Sequence, residues 1–249
     1  MKIGASTLAG LEIGLEKTLE FIENLGLEYA ELVHQFPTEH ITADILESYN
    51  LKYSIHTPFM DVNIATLQDK SRINSVNQIK DSINLANEID AEAVVVHPGL
   101  ASFLAKKYFL DDVYKAANDS IADICGYSKD LGVLTTIENM PDFDAMIYQN
   151  INELNDFLVS LDMGMTLDIG HAHHVGYTPD EMIFDSIKHV HIHDNFGDDD
   201  AHLALGEGNI DLKHIINTLE SKNYDGIYII EVNDLDSIEK SYEYMKKRF

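Results

Sequence analysis

Seven segments of this chain end in a metal-type ligand, and all but one read as a buried strand. They are YSIHTP with His56, AVVVHPG with His97, LTTIEN with Glu138, TLDIGHA with Asp168 and His171, HVHIHD with His191, and YIIEV with Glu231. The seventh is the acidic run DDDAH, which follows directly from HVHIHD and carries Asp200 and His202. Ligands from so many strand ends converge only if the strands are parallel and share one end. That is the mouth of a single (β/α)8 barrel, where strand-end residues read as catalytic. The mixture of imidazoles and carboxylates suits zinc, manganese or a related divalent ion. Nine side chains are more than one ion uses, so two or three ions are expected.

The rest of the chain follows the same plan. Strand-like segments at 2–7, 29–34, 53–58, 93–98, 133–139, 164–170, 189–194 and 227–232 alternate with helix-like ones, which predicts a parallel sheet in an α/β fold. Helical periodicity fills each gap, for instance DDVYKAANDSIADICGYSKDLG and TPDEMIFDSI, making eight strands and eight helices. Thr178-Pro179 reads as a helix start, and Gly26 and Gly132 fall where helices should stop. No linker or composition shift divides the chain, so residues 1–249 are expected to form one TIM-barrel domain. Its 249 residues match the usual size of that fold.

Within the ligand set, two patterns stand out. His189, His191 and His193 alternate along one strand and therefore face one side. A barrel interior prefers branched apolar side chains, so three inward histidines are not filler. The last two lie nearest the mouth, and His189 reads as a hydrogen-bonded core residue. Glu138 and Glu231 each close an apolar run, and a pair of carboxylates beside a metal can hold it and also move protons on opposite faces of a bound molecule. His174, His193 and Asn195 are expected to face the substrate. The glycine-rich LGEGNIDL before a helix reads either as a phosphate cradle or as a tight turn with Asp211 as cap.

Composition narrows the partners. With 43 acids against 17 bases the net charge is −26, and only Arg72 and Arg248 are arginine. Such a chain repels polyanions, so nucleic acid is not an expected partner. Cations near the mouth are few: Lys70 and Arg72 after the third strand, and Lys106 and Lys107 after the fourth. No apolar stretch is long enough for a membrane span, and the first residues lack the layout of a signal peptide. The lone Cys125 reads as a small buried apolar residue. A cytoplasmic location is the expectation.

Taken as a set, HTP, HPG, EN, DIGHA, HIHDN, DAHLALGEGNID and IIEV resemble the xylose-isomerase-like TIM barrels over about residues 53–232. That superfamily contains endonuclease IV and metal-dependent sugar and sugar-phosphate isomerases and epimerases. In the isomerase branch, the resemblance implies one divalent ion held at Glu138, Asp168, His191 and Glu231, with the two glutamates as proton-transfer bases through an enediolate. In the endonuclease IV branch it implies three zinc ions, using also His56, His97, His171, Asp200 and His202. Every one of these positions is filled. The lean, acidic loops favour isomerisation or epimerisation of a small sugar or sugar phosphate. The alternative is zinc-dependent phosphoester hydrolysis of the abasic-site endonuclease type.

Overall fold

Short β-branched and aliphatic runs make the walls of the molecule. In the computed structural model, which describes all of residues 1–249, eight parallel strands close into one barrel in chain order. They are β1 (Lys2–Ser6), β2 (Tyr29–Val33), β3 (Lys52–His56), β4 (Val94–Val96), β5 (Thr135–Glu138), β6 (Gly164–Asp168), β7 (Ile187–Ile192) and β8 (Ile227–Ile230). The last strand pairs with the first from Lys2↔Ile227 to Ala5↔Ile230, which removes every sheet edge. Outside lie α1 (Leu15–Asn24), α2 (Ala43–Leu46), α3 (Asp69–Glu88), α4 (Phe103–Tyr108), α5 (Leu110–Leu131), α6 (Ile151–Ser160), α7 (Ile169–Val175), α8 (Leu212–Ser221) and α9 (Leu235–Arg248).

The two-residue period of each strand separates two interiors. One set of positions, including Leu32, Ile55, Val94, Val96, Ile137, Leu167, Val190 and Ile230, joins the helices in a core cluster of 52 buried residues. The alternate set points into the barrel. At its lower end Tyr29, Ile227 and Ile229 form a small apolar cluster of their own. Above them the lining turns polar, with Glu31, Ser54, Thr136, Thr166 and His189 all buried. Higher still come His56, Glu138, Asp168 and His191. The barrel is therefore apolar at its floor and ligand-rich at its mouth, rather than filled throughout by branched side chains.

Three expectations need correction. The strands are shorter than expected at their C-terminal ends, so His97, His171, His193 and Glu231 lie just beyond them. Pro58 and Pro98 follow two of these ends and have no N–H to continue a ladder. The segment TPDEMIFDSI is a 3-10 turn over Pro179–Met182, not an α-helix: its capping box forms between Thr178 and Glu181, but Ile183 is already extended. The α-helix after β6 is instead the GHAHHV stretch, because the Asp168 carboxylate accepts the His171 N–H at 2.7 Å and turns the strand straight into α7. The helices thus number nine, with the fourth gap divided between α4 and α5. Gly132 stops α5 in the left-handed conformation, and Cys125 is buried on that helix, both as expected. No helix is long and apolar enough to cross a membrane.

Candidate active site

All nine ligand-type side chains expected at the mouth meet there. Glu138, Asp168, His191 and Glu231 bring one ligand atom each to within 4.8 Å of one another, and all four are buried. His191 Nδ1 lies 2.9 Å from Glu231 Oε2 and 3.2 Å from Glu138 Oε1. Beside this group, His56 Nε2 and His97 Nε2 approach the other Glu138 oxygen at 3.4 and 3.2 Å. On the far side, Asp200 Oδ2 lies 3.2 Å from His171 Nε2 and 3.3 Å from His202 Nε2. Glu138 thus belongs to two adjoining clusters, and His171, Asp200 and His202 to a third.

The backbone orients these rings. His56 Nδ1 lies 2.9 Å from Thr57 O, His171 Nδ1 2.8 Å from Asn139 O and His202 Nδ1 2.9 Å from Glu231 O. A carbonyl only accepts, so Nδ1 carries a hydrogen and Nε2 is the atom turned to the mouth. His202 also holds a left-handed backbone (φ 45°), a conformation that non-glycine residues adopt rarely and that clusters at functional sites.

The three residues expected to face substrate are placed differently. His193 is fully buried, with Nε2 3.1 Å from Asp168 Oδ1 and 3.5 Å from Asp200 Oδ1, so it joins the third ligand cluster. Its ring packs so closely over Gly170 that a Cβ there would lie 1.9 Å from it. The Asn195 amide is spent on the backbone, donating to Gly170 O at 3.0 Å and accepting from Gly197 N at 2.9 Å. His174 packs edge-on against Phe143 and does not line the cavity. LGEGNIDL is not an open phosphate cradle, because the N–H groups of Gly206 and Ile210 donate to the Asp194 carboxylate at 2.9 and 3.2 Å. Asp211 caps α8 through His214 N.

Three residues not singled out in the sequence are central. Asp194 anchors the loop that delivers Asp200 and His202. Asn139 clamps β5 to β6 by accepting from Asp168 N at 2.9 Å and donating to Asp168 O at 3.0 Å. Glu31 is a fully buried carboxylate on β2 with His189 Nε2 at 2.8 Å, in the core role expected of that histidine. The only signal for Glu31 was an acid inside the apolar run YAELV.

The donor set fits divalent cations. Five carboxylates and seven imidazoles crowd this end of the barrel, and no lysine or arginine lines the cavity there. Glu138 Oε2, Asp168 Oδ2, His193 Nε2 and Asp200 Oδ1 are buried without a hydrogen-bond partner, and such atoms are costly unless something pairs with them. Protons take that role in the metal-free chain. Burial alone would push the Glu138 carboxyl up, but His191 and His97 hold it well below the usual range. Burial likewise opposes charge on His171, yet Asp168, Asp200 and Glu138 raise it to about 10. His202 is raised to about 9, against burial, by Asp200 and Glu231.

These groups form one side of a cavity of about 220 Å³. The opposite side is apolar, with Phe59, Val62, Leu100, Met140, Phe143 and Met146. Phe59 stacks on His97, closing the site beside β3 and β4.

A closed ring of eight parallel strands with buried imidazoles and carboxylates gathered at its strand ends defines a TIM barrel. The chain belongs to the xylose isomerase-like TIM barrel family, whose model matches residues 19–248. It is 32% identical to an uncharacterised protein of Methanocaldococcus jannaschii, over 99% of this chain and 89% of that one. A crystal structure described as a D-tagatose 3-epimerase-like protein superposes with a TM-score of 0.90 and 31% identity, covering 100% of this chain and 97% of that one. Weaker likenesses divide between two chemistries. Fructoselysine 3-epimerase of Shigella flexneri is 21% identical over 93% of this chain and 90% of its own. A probable endonuclease 4 of Halothermothrix orenii is 27% identical over 66% of this chain and 65% of its own.

Proposed function

We propose that the chain is a metal-dependent epimerase or isomerase of a small sugar or sugar phosphate. The observation that carries this is the convergence of Glu138 and Glu231, from β5 and from the end of β8, on the single atom His191 Nδ1. Both carboxyls are held below the usual range: burial pushes each up and His191 outweighs it. They are therefore ionised at neutral pH and able to take a proton. Glu138, Asp168, His191 and Glu231 would hold a divalent ion, which supplies Lewis-acid polarisation of a substrate carbonyl. One glutamate takes the proton from the carbon beside that carbonyl, and the proton returns to the opposite face of that carbon after passing to the other glutamate, so both carboxylates end as they began. The apolar wall of the cavity excludes water from the exchanging proton. Full-length likeness to an epimerase-like protein supports the same chemistry.

A second reading, phosphoester hydrolysis, is favoured by one specific observation: His56, His97, His171, Asp200 and His202 also reach the mouth. Against a nucleic-acid substrate stand the charge of −26 and a cavity without lysine or arginine. Two measurements separate these functions. A panel of ketoses and aldoses, incubated with the manganese- or zinc-loaded chain in deuterium oxide, is expected to include one that exchanges its carbon-bound proton. If none exchanges and a model phosphodiester or abasic-site duplex is cleaved, the hydrolase is correct. Elemental analysis of the metal-replete protein is expected to give two or three ions per chain, and a single ion under excess metal would contradict the multinuclear site.

A further inference from the structure

We infer that Glu31 is a positioning residue that works from inside the barrel: it holds the His191 ring so that Nδ1 faces the mouth as a lone pair. This rests on the proposed ion site at Glu138, Asp168, His191 and Glu231. Glu31 lies on β2, in register with Ser54 on β3, and is fully buried. Three groups surround its carboxylate. Ser54 Oγ donates to Oε2 at 2.9 Å, His189 Nε2 lies 2.8 Å from the same oxygen, and His191 Nε2 lies 2.9 Å from Oε1. This last contact is close without being aligned as a hydrogen bond, and neither Glu31 Oε1 nor His191 Nε2 hydrogen-bonds to any other group.

A carboxylate only accepts, so the nitrogen facing it must carry the hydrogen. With Nε2–H committed to Glu31, the neutral His191 ring can present only a lone pair at Nδ1. Without an ion, Nδ1 holds a second proton against Glu231 Oε2 and Glu138 Oε1, and a cation would take that proton's place on the lone pair. A histidine backed by a carboxylate in this way is a better and better-oriented ligand, and loss of the backing group costs roughly 10–100-fold in metal affinity. His56, His171 and His202 take their orientation from main-chain carbonyls. His191, at the centre of the group, is backed instead by a charged side chain, and His189 and Ser54 hold that side chain in place.

The test uses the full chain carrying Glu31→Gln, with Ser54→Ala as the comparison that keeps the carboxylate. Zinc affinity is read by competition with a chromophoric chelator, and the imidazole tautomer by nitrogen-15 NMR of the zinc-loaded protein. Glu31→Gln is expected to weaken zinc binding 10–100-fold, and Ser54→Ala by about tenfold at most, the scale of one hydrogen bond. In the unaltered chain His191 is expected as the Nε2–H tautomer, and that measurement decides the matter alone if Glu31→Gln does not fold. Three results would overturn the proposal: unchanged affinity in a folded Glu31→Gln variant, an Nδ1–H tautomer at His191, or anomalous scattering from an ion between Glu31 and His189. If the unaltered chain binds no divalent ion at all, the proposed function falls and takes this inference with it. If it binds ions that ignore Glu31, only this inference falls.

Discussion

Replacing Glu138 or Glu231 by glutamine keeps the size of the side chain and removes its capacity to take a proton. Both variants are expected to lose turnover and substrate proton exchange by roughly 10²–10⁴-fold, the scale of general acid–base catalysis. Metal content is measured alongside, because each residue is also a ligand and metal loss alone would abolish activity. The two variants should differ in one respect. The Glu138 carboxylate approaches His56, His97 and His191, whereas the Glu231 carboxylate meets His191. Glu138→Gln is therefore expected to lower the number of bound ions more than Glu231→Gln. A fully metal-loaded Glu231→Gln protein that exchanged the substrate proton at the native rate would remove Glu231 from the role of base.

At the scale of elements, the loop between β7 and α8 decides whether the third ligand cluster exists. Asp194 pairs with Leu203 through two backbone bonds of 2.9 Å and folds the loop back on itself. Its carboxylate then accepts the N–H groups of Asn195, Gly206 and Ile210. Asp200 and His202 ride on the segment so closed. Asp194→Ala leaves buried donors without an acceptor, and is expected to destabilise the protein by about 1–3 kcal/mol. Amide exchange should accelerate across residues 196–210 while the strands stay protected. Weaker ion binding with the barrel intact is the expected consequence, and exchange unchanged in this loop would show that other contacts hold it.

For the molecule as a whole, the crowded mouth ties stability to pH. In the metal-free chain His171 is raised to about 10 and His202 to about 9, from an ordinary 6.5. A raised folded-state pKa means that the folded chain binds more protons than the unfolded one across that window, so stability falls as pH rises. The contribution is complete below about pH 6.5, falls progressively above it, and is gone once pH passes the folded values of about 9 and 10. Metal-loaded protein, whose imidazoles have already surrendered these protons, should show a flatter profile. Melting of both forms at pH 6, 8 and 10 checks this, and calorimetry in buffers of different ionisation enthalpy should detect proton release on metal binding. An equal slope in the two forms would mean that other groups govern the pH dependence.

Much of this molecule was legible in its sequence. Alternating strand and helix signals implied a closed parallel barrel, and ligands at strand ends implied a common mouth, because a two-residue period and a shared direction leave one place for them to meet. Local signals at Gly132, Asp211 and the Thr178 capping box were equally readable, since caps depend on a few neighbouring residues. Other features were settled only when distant segments met. Whether TPDEMIFDSI or GHAHHV became the α-helix after β6 turned on how Asp168 capped the strand end. His193 and Asn195 stand two residues apart and look alike as mouth residues, yet one meets Asp168 and Asp200 while the other is tied to Gly170. Glu31 was invisible because the cost of burying a lone carboxylate is offset by His189 and His191, 158 and 160 positions away, and only closure of the barrel brings them within 3 Å.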